Sequence, residues 1–291
     1  RGFTTSLTAG FDIALWDIKG KVANLPIYDL LGGRYRDAIR LYCNVWFSGC
    51  NTPEEYAEAA KKNLLGKNYE ACKLDPFLEM TPYHTMYQEG FISQKGEQEG
   101  YDIVAAVREV VGPSFEILID AHGHYNVPNA IRLANNLYEK YNIAWFEEPV
   151  FPDDYKGHQL ISRATHIPVA TGENEYTKYG FRDLINDRCA AIIQPDAQIM
   201  GGVTEFMKVA ALAQSQDLPI APHGNQQVHV QLVAAIPNGL TVEYYRGSTD
   251  PLWGEMFEDT LMIEDGYVSP SDKPGFGITL NEKALKQYKI N

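Results

Sequence analysis

Eight short runs of β-forming residues alternate along this chain with amphipathic stretches of helical period, and that rhythm limits the fold more than any other feature. The spacing predicts strands over 40–45, 69–75, 116–120, 143–147, 168–172, 190–195, 218–222 and 240–244. Helical periodicity runs through 54–65, 99–112, 128–141, 156–164, 178–187, 203–216 and 226–236. A strand followed by a helix and then another strand implies parallel βαβ units. Eight such units in about 250 residues is the size of an α/β chain closed into a (β/α)8 TIM-type barrel. A doubly wound open sheet is the alternative. It calls for a glycine-rich phosphate turn after its first strand, and Asn44-Val-Trp-Phe-Ser48 is not one.

Three parts are expected. Residues 1–39 form a helix and a turn leading into the barrel, the turn closed by Gly32 and Gly33. Residues 40–245 form the barrel with a metal site, and 246–291 form a C-terminal segment with no clear barrel unit. Because the chain opens inside a helix, a further segment is expected upstream. The polar, aromatic-dotted insertion 77–98 follows the second strand on the face where barrel sites form, and reads as a lid or substrate loop.

The strand ends carry the chemistry. Three apolar β-formers, Ile117-Leu-Ile119, run into Asp120 and then His122, and residues two apart on a strand share a side. The other tips are Lys73-Leu-Asp75, Glu147-Glu148, Glu173, Asp196, His223 and Glu243. Every predicted strand from the second on thus delivers an ionisable group at one height, and burying such groups without a role is costly. In a barrel of this kind, catalysis is assembled at that end.

Asp120, Glu147 and Glu173 come from three consecutive strands, and crowded carboxylates repel unless a cation joins them. All-oxygen ligation selects Mg²⁺, with Mn²⁺ as the other choice. Glu148 competes with Glu147, and Glu175 with Glu173; position at the strand tip favours the first of each. Asp196 and His223 end adjacent strands, and a carboxylate beside an imidazole suits a general base or acid. Lys73 can neutralise a substrate carboxylate or act as a base. His122, next to the metal, is placed to protonate a leaving group, and Glu243 to accept from a substrate hydroxyl or a developing enol. His84, His124, His158, His166 and His229 read as surface or loop groups, with His124 near the site. A metal, a base and a cation together suit abstraction of a proton α to a carboxylate.

The formal net charge of −13 argues against nucleic acid or an anionic membrane surface as partner. No apolar run approaches a membrane span. Cys43, Cys50, Cys72 and Cys189 show no CxxC pairing, so reduced thiols and a cytoplasmic location are expected.

Taken together, the strand-end series, Gly201-Gly202-Val-Thr after Asp196, and the opening FDIALWDIKGKVANLPIYDLLGG resemble the mandelate racemase subgroup of the enolase superfamily. The resemblance covers nearly the whole chain. Tyr42-Cys-Asn-Val-Trp46, Lys73-Leu-Asp-Pro-Phe77 and the Asp120-x-His122 pair are similar to its sugar-acid dehydratases, those acting on gluconate, galactonate or arabinonate. The resemblance implies metal ligation by Asp120, Glu147 and Glu173, removal of the α-proton by His223 oriented by Asp196, and departure of the β-hydroxyl assisted by His122. The product would be a 2-keto-3-deoxy sugar acid. Which imidazole serves as base depends on the stereochemistry of the substrate.

It also implies a homo-oligomer, and an N-terminal capping domain that this chain begins after, with 246–291 returning toward it. Racemases of the subgroup carry Lys-x-Lys on the second strand, where this chain has Asp75. That departure favours elimination over a racemase or epimerase, which with a cycloisomerase and a non-catalytic sugar-acid-binding member form the other readings.

Overall fold

The structure, a computed structural model, describes residues 2–80, 90–246, 254–259 and 261–289. Helix α1 (Phe3–Ala23) and the short α2 (Ile27–Leu30) precede strand β1 (Ile39–Asn44). The alternation then runs α3 (Pro53–Asn63), β2 (Ala71–Leu74), α4 (Gln94–Val111), β3 (Glu116–Asp120), α5 (Val127–Tyr141) and β4 (Trp145–Glu147). It continues with α6 (Tyr155–Ala164), β5 (Val169–Thr171), α7 (Thr177–Asn186), β6 (Ile192–Ile193), α8 (Ala197–Met200), α9 (Val203–Gln214), α10 (Gln226–Ala234) and β7 (Val242–Tyr245). A hairpin, β8 (Ile263–Glu264) and β9 (Tyr267–Val268), and α11 (Glu282–Gln287) complete the chain.

Local sequence explains where these helices start. Thr52 and Glu55 form a reciprocal capping box ahead of α3, with Pro53 in the first turn. Ser93, Asn126 and Asp154 cap α4, α5 and α6 by accepting from backbone N–H groups. Helix α9 is capped from outside itself: Asp12 on α1 accepts from the Thr204 N–H at 3.0 Å and from its hydroxyl at 2.6 Å. Trp16 adds an indole N–H to the same hydroxyl at 3.0 Å, which docks α1 on the barrel.

Strands β1 to β6 pair in parallel and in order, and β7 returns to pair with β1. Side-chain alternation splits the residues into two layers. Tyr42, Ala71, Leu118, Trp145, Ala170, Ile192 and Ala221 pack inside the ring. Cys43, Cys72, Ile117, Ile119, Phe146, Val169, Ile193 and Ile220 pack outward against the helices. The predicted strand 218–222 differs: Ile220 makes only isolated parallel bridges, to Ile193 and to Gly239. Pro219 and Pro222 flank it, and proline has no N–H to extend a ladder. The chain follows the path of a barrel around this point, but the regular sheet does not close.

The tail holds elements that periodicity did not predict. Strand β9 pairs antiparallel with β1 (Ile39 with Val268, Arg40 with Tyr267), and the β8–β9 turn is Asp265-Gly266, both with positive φ. Asp-Gly is a strong signal for such a turn, but two-residue strands are too short for their alternation to register. Of the 77–98 insertion, Leu78–Met80 form one 3₁₀ turn and α4 starts within it; residues 81–89 lie outside the described residues. Its two ends are tied down. Glu79 accepts from the Ser93 N–H at 2.9 Å, and the Gly90 carbonyl from the Asn126 N–H at 3.0 Å.

The tail is locked to α1 by a close backbone approach. Gly275 exchanges hydrogen bonds with Leu25 and Ile27, and a Cβ on Gly20 would lie 2.7 Å from the Gly275 Cα. Alanine at 20 would gain about 1 kcal/mol of helix propensity, but overpacking against backbone costs about 1–3 kcal/mol. Gly10, in the same helix, has nothing near its would-be Cβ. Gly20→Ala is therefore expected to lower the urea midpoint and Gly10→Ala to raise it. Shifts of the same sign in both variants would contradict this packing.

Candidate active site and metal centre

The ends of four strands converge on one ammonium group. Lys73 on β2 is 1% exposed, and its Nζ lies 2.6 Å from Glu147 Oε1 and 3.0 Å from both Asp120 Oδ2 and Glu243 Oε1. Pairing of Asp120 with Glu147 across β3 and β4 sets the first two side by side. Each carboxylate has further donors. Trp145 Nε1 donates to Glu147 Oε2 at 3.0 Å, and the His122 N–H to Asp120 Oδ1 at 3.1 Å. Asn44 Nδ2 and the Gly224 N–H donate to Glu243 at 2.7 and 2.8 Å.

Charge is not balanced by the lysine alone. Burial opposes a charged Lys73, but Asp120, Glu147 and Glu243 outweigh it and hold the ammonium well above its usual pKa. Burial likewise opposes a charged Asp120, yet Lys73 and His122 keep that carboxyl below the usual carboxylate range. Glu147 is pushed up to about 8, by burial first and then by Asp120. Burial also raises Glu173 and Glu148. Three carboxylates thus share one lysine with Glu148 and Glu173 close by, and the excess negative charge is of the kind a divalent cation relieves.

Ligand atoms of Asp120, Glu147 and Glu173 all lie within 4.8 Å of one another. This all-oxygen set fits a hard cation such as Mg²⁺ or Mn²⁺. The two open choices in the sequence separate by geometry. Glu148 turns to Asn174, whose Nδ2 donates to both its oxygens at 3.0 and 3.1 Å. Glu175 turns to the Tyr155 hydroxyl and the Tyr176 N–H.

Two Asp–His pairs flank the cluster. His223 Nδ1 lies 3.1 Å from Asp196 Oδ2, and its Nε2 3.7 Å from Glu173 Oε2. Burial works against a charged His223, but Glu173 and Asp196 outweigh it and push the imidazole up to about 10. On the other flank, His122 Nδ1 lies 3.2 Å from Asp75 Oδ2 and 3.4 Å from Asp120 Oδ1. The His122 backbone is left-handed, with φ of 45°. A cavity of about 500 Å³ is lined by both imidazoles together with Asp75, Glu148, Glu173, Asn174 and Tyr245.

Every predicted site residue therefore belongs to one neighbourhood, but three points differ from expectation. Lys73 and Glu243 are fully buried, and their polar atoms meet Asp120, Glu147, Asn44, the Gly224 N–H and each other. Asp75 was legible as a strand tip but not as the partner of His122; its spacing of two from Lys73 was the available signal. His124, His158 and His229, expected at the surface or in loops, are 5%, 1% and 0% exposed. His158 and His229 sit on buried faces of α6 and α10, and His124 in the turn after β3. His166 is exposed as expected, and His84 lies outside the described residues. All four cysteines are free, and no helix among the described residues is long and apolar enough to cross a membrane.

Comparison with known proteins gives the same grouping. Residues 55–284 match the family model for the enolase C-terminal domain-like family, and residues 2–32 match that for the mandelate racemase / muconate lactonizing enzyme N-terminal domain. D-xylonate dehydratase of Haloferax volcanii is 33% identical, over 99% of this chain and 71% of that relative. D-gluconate dehydratase of Thermoproteus tenax is 33% identical over 98% of this chain, which spans only 56% of that relative's length. The crystal structure of the 3,6-anhydro-D-galactonate cycloisomerase from Zobellia galactanivorans superposes with a TM-score of 0.87 at 32% identity, over 100% of this chain and 77% of that one. A family model that spans most of the barrel, relatives at this identity, and a shared fold together make this chain a member of the mandelate racemase/muconate lactonizing enzyme family of the enolase superfamily.

Proposed function

We propose that this chain carries the active site of a Mg²⁺-dependent sugar-acid dehydratase, a hydro-lyase that turns an aldonic acid into its 2-keto-3-deoxy derivative. The observation that carries the reading is the presence of two separate Asp–His pairs on either flank of one carboxylate cluster, facing one cavity. Elimination of water needs both a base for the α-proton and an acid for the β-hydroxyl. Relatives named as dehydratases of xylonate and gluconate support the substrate class.

Asp120, Glu147 and Glu173 would hold the cation, which supplies positive charge where negative charge develops on the substrate carboxylate. A cation held by Glu173 would offset the carboxylate that does most to keep His223 charged; in the neutral ring Asp196 accepts from Nδ1, which leaves Nε2 free of its proton and aimed toward Glu173 and the cavity. His223 takes the α-proton there. Asp75 holds His122 in the same way on the opposite flank, and His122 gives a proton to the departing β-hydroxyl, which leaves as water. The C–O bond breaks as the double bond forms, and the enol tautomerises to the 2-keto acid. Lys73 acts as the internal counter-ion of the cluster, because its three carboxylate partners keep it protonated and away from the cavity.

A racemase needs bases on both faces of the α-carbon. Asp75, standing where a lysine would serve the second face, is committed to His122. The cycloisomerase likeness makes ring formation or opening the second reading, and product analysis separates the two.

With D-gluconate, D-galactonate and D-xylonate in D₂O, the protein with Mg²⁺ is expected to form a 2-keto product, detected as its semicarbazone. His223→Asn should abolish both that product and deuterium exchange at the α-carbon. His122→Asn should lose product about 10²–10⁴-fold while retaining exchange. Deuterium exchange or epimerisation by the wild type without keto product contradicts the dehydratase reading.

Metal binding has a readout apart from activity. Mg²⁺ at about one hundred times its Kd adds about 2.7 kcal/mol of stability, so the thermal midpoint should rise by several degrees. The rise should persist in His223→Asn and vanish in Glu147→Gln. An unchanged shift in Glu147→Gln contradicts the ligand assignment.

A further inference from the structure

Asp196 and His223 lie on different loops, Asp196 after β6 and His223 after the bridge at Ile220. Their 3.1 Å contact therefore depends on something that holds those loops in register. Resting on the reading of that pair as the proton-moving one, we propose that His229 is a positioning residue, locked as its Nδ1–H tautomer, that clamps the two loops together.

The geometry assigns the tautomer. His229 is completely buried on α10, and its Nε2 lies 3.1 Å from the Ala197 backbone nitrogen. An amide N–H can only donate, so Nε2 must be the acceptor, and the ring proton sits on Nδ1. That proton points at the Gly224 carbonyl, 2.7 Å away. Ala197 directly follows Asp196, and Gly224 directly follows His223. One ring therefore bonds the neighbour of the acid and the neighbour of the base.

Both loops are pinned on their other sides as well. Asp196 Oδ1 accepts from the Gln198 N–H at 2.7 Å, leaving Oδ2 for His223. The Gly224 N–H donates to Glu243 Oε2 at 2.8 Å, so both backbone groups of this residue, and the two peptides that they belong to, are tied down. Gly224 has φ of 67°, a conformation side chains disfavour, which lets the peptide turn toward His229. Every residue of α10 is buried, and Phe206 stacks on the imidazole with centroids 6.0 Å apart, so the clamp has a fixed base. Asp196 Oδ1 lies 3.7 Å from Nε2 and favours a charged ring, but a proton there would displace the Ala197 bond and bury a charge, and burial outweighs the carboxylate and keeps the ring neutral.

His229→Leu keeps bulk and removes both bonds. His229→Asn returns a donor near the Nδ1 position and His229→Gln an acceptor near Nε2, so each restores one bond. The Mg²⁺-loaded protein is compared by NMR of ¹⁵N-labelled histidines, reading the His223 Nδ1–H resonance, and by turnover of whichever of the three aldonic acids the wild type accepts. The His223 signal should be lost in His229→Leu although Asp196 and His223 are both present, and it should be partly recovered in His229→Asn and His229→Gln. The kcat should fall about 10–100-fold in His229→Leu, with KM changed less than about threefold, and recover in part in the same two variants. Should His229→Leu fail to fold, the Asn and Gln variants carry the comparison. An unchanged His223 resonance and kcat in the variants that fold would overturn the clamp. Absence of turnover in the wild type, with the resonance lost on substitution, would instead leave the clamp standing and remove the dehydratase reading.

Discussion

One buried ammonium organises the mouth of this barrel. Lys73 joins carboxylates from β3, β4 and β7, so three charges that would otherwise repel become a cross-barrel tie. Such an arrangement is not a source of net stability in itself, because taking each ion out of water costs several kcal/mol. Removing one partner is far worse, typically by about 3–5 kcal/mol, since the others stay buried and uncompensated. The lysine covers only part of the charge present. The remainder, concentrated on Asp120, Glu147 and Glu173, is the charge that the proposed cation would offset.

The two imidazoles inherit their roles from that core. His122 sits beside Asp120 and His223 beside Glu173, so each is held at an edge of the carboxylate cluster and each has its own aspartate behind it. The aspartates come from different places in the chain, Asp75 from a strand tip and Asp196 from a helix cap, and they produce the same Nδ1 contact. On the proposed reading the two imidazoles flank a bound cation as acid and base, which is what elimination needs, and the network through His229 ties together the two loops that carry one of the pairs.

Much of this was readable in the sequence, for a physical reason. Strand periodicity and helical periodicity differ enough that seven of the eight predicted barrel strands appear as strands, and strand tips sit at one height whatever the helices do. The height of the carboxylate series therefore follows from the sequence alone. What escaped was whatever depends on direction rather than on position along a strand. Asp75 was visible as a tip, but its turn toward His122 depends on the left-handed backbone at His122. Lys73 looked free to meet a substrate because its three partners lie on other strands. His229 reads as a surface or loop group because nothing local records the two backbone groups it meets. The prolines around Ile220 were in view, yet their effect on the ladder appears only when neighbouring strands need the missing N–H groups.

The central claim, that Asp120, Glu147 and Glu173 form the cation site between the two Asp–His pairs, is tested most directly by crystals of the protein grown with Mn²⁺ and measured at the manganese absorption edge. The account predicts one anomalous peak within bonding distance, about 2.0–2.3 Å, of a carboxylate oxygen from each of those three residues. A peak on Asp75 and His122 instead, or no peak with Asp120, Glu147 and Glu173 all well ordered, would contradict it.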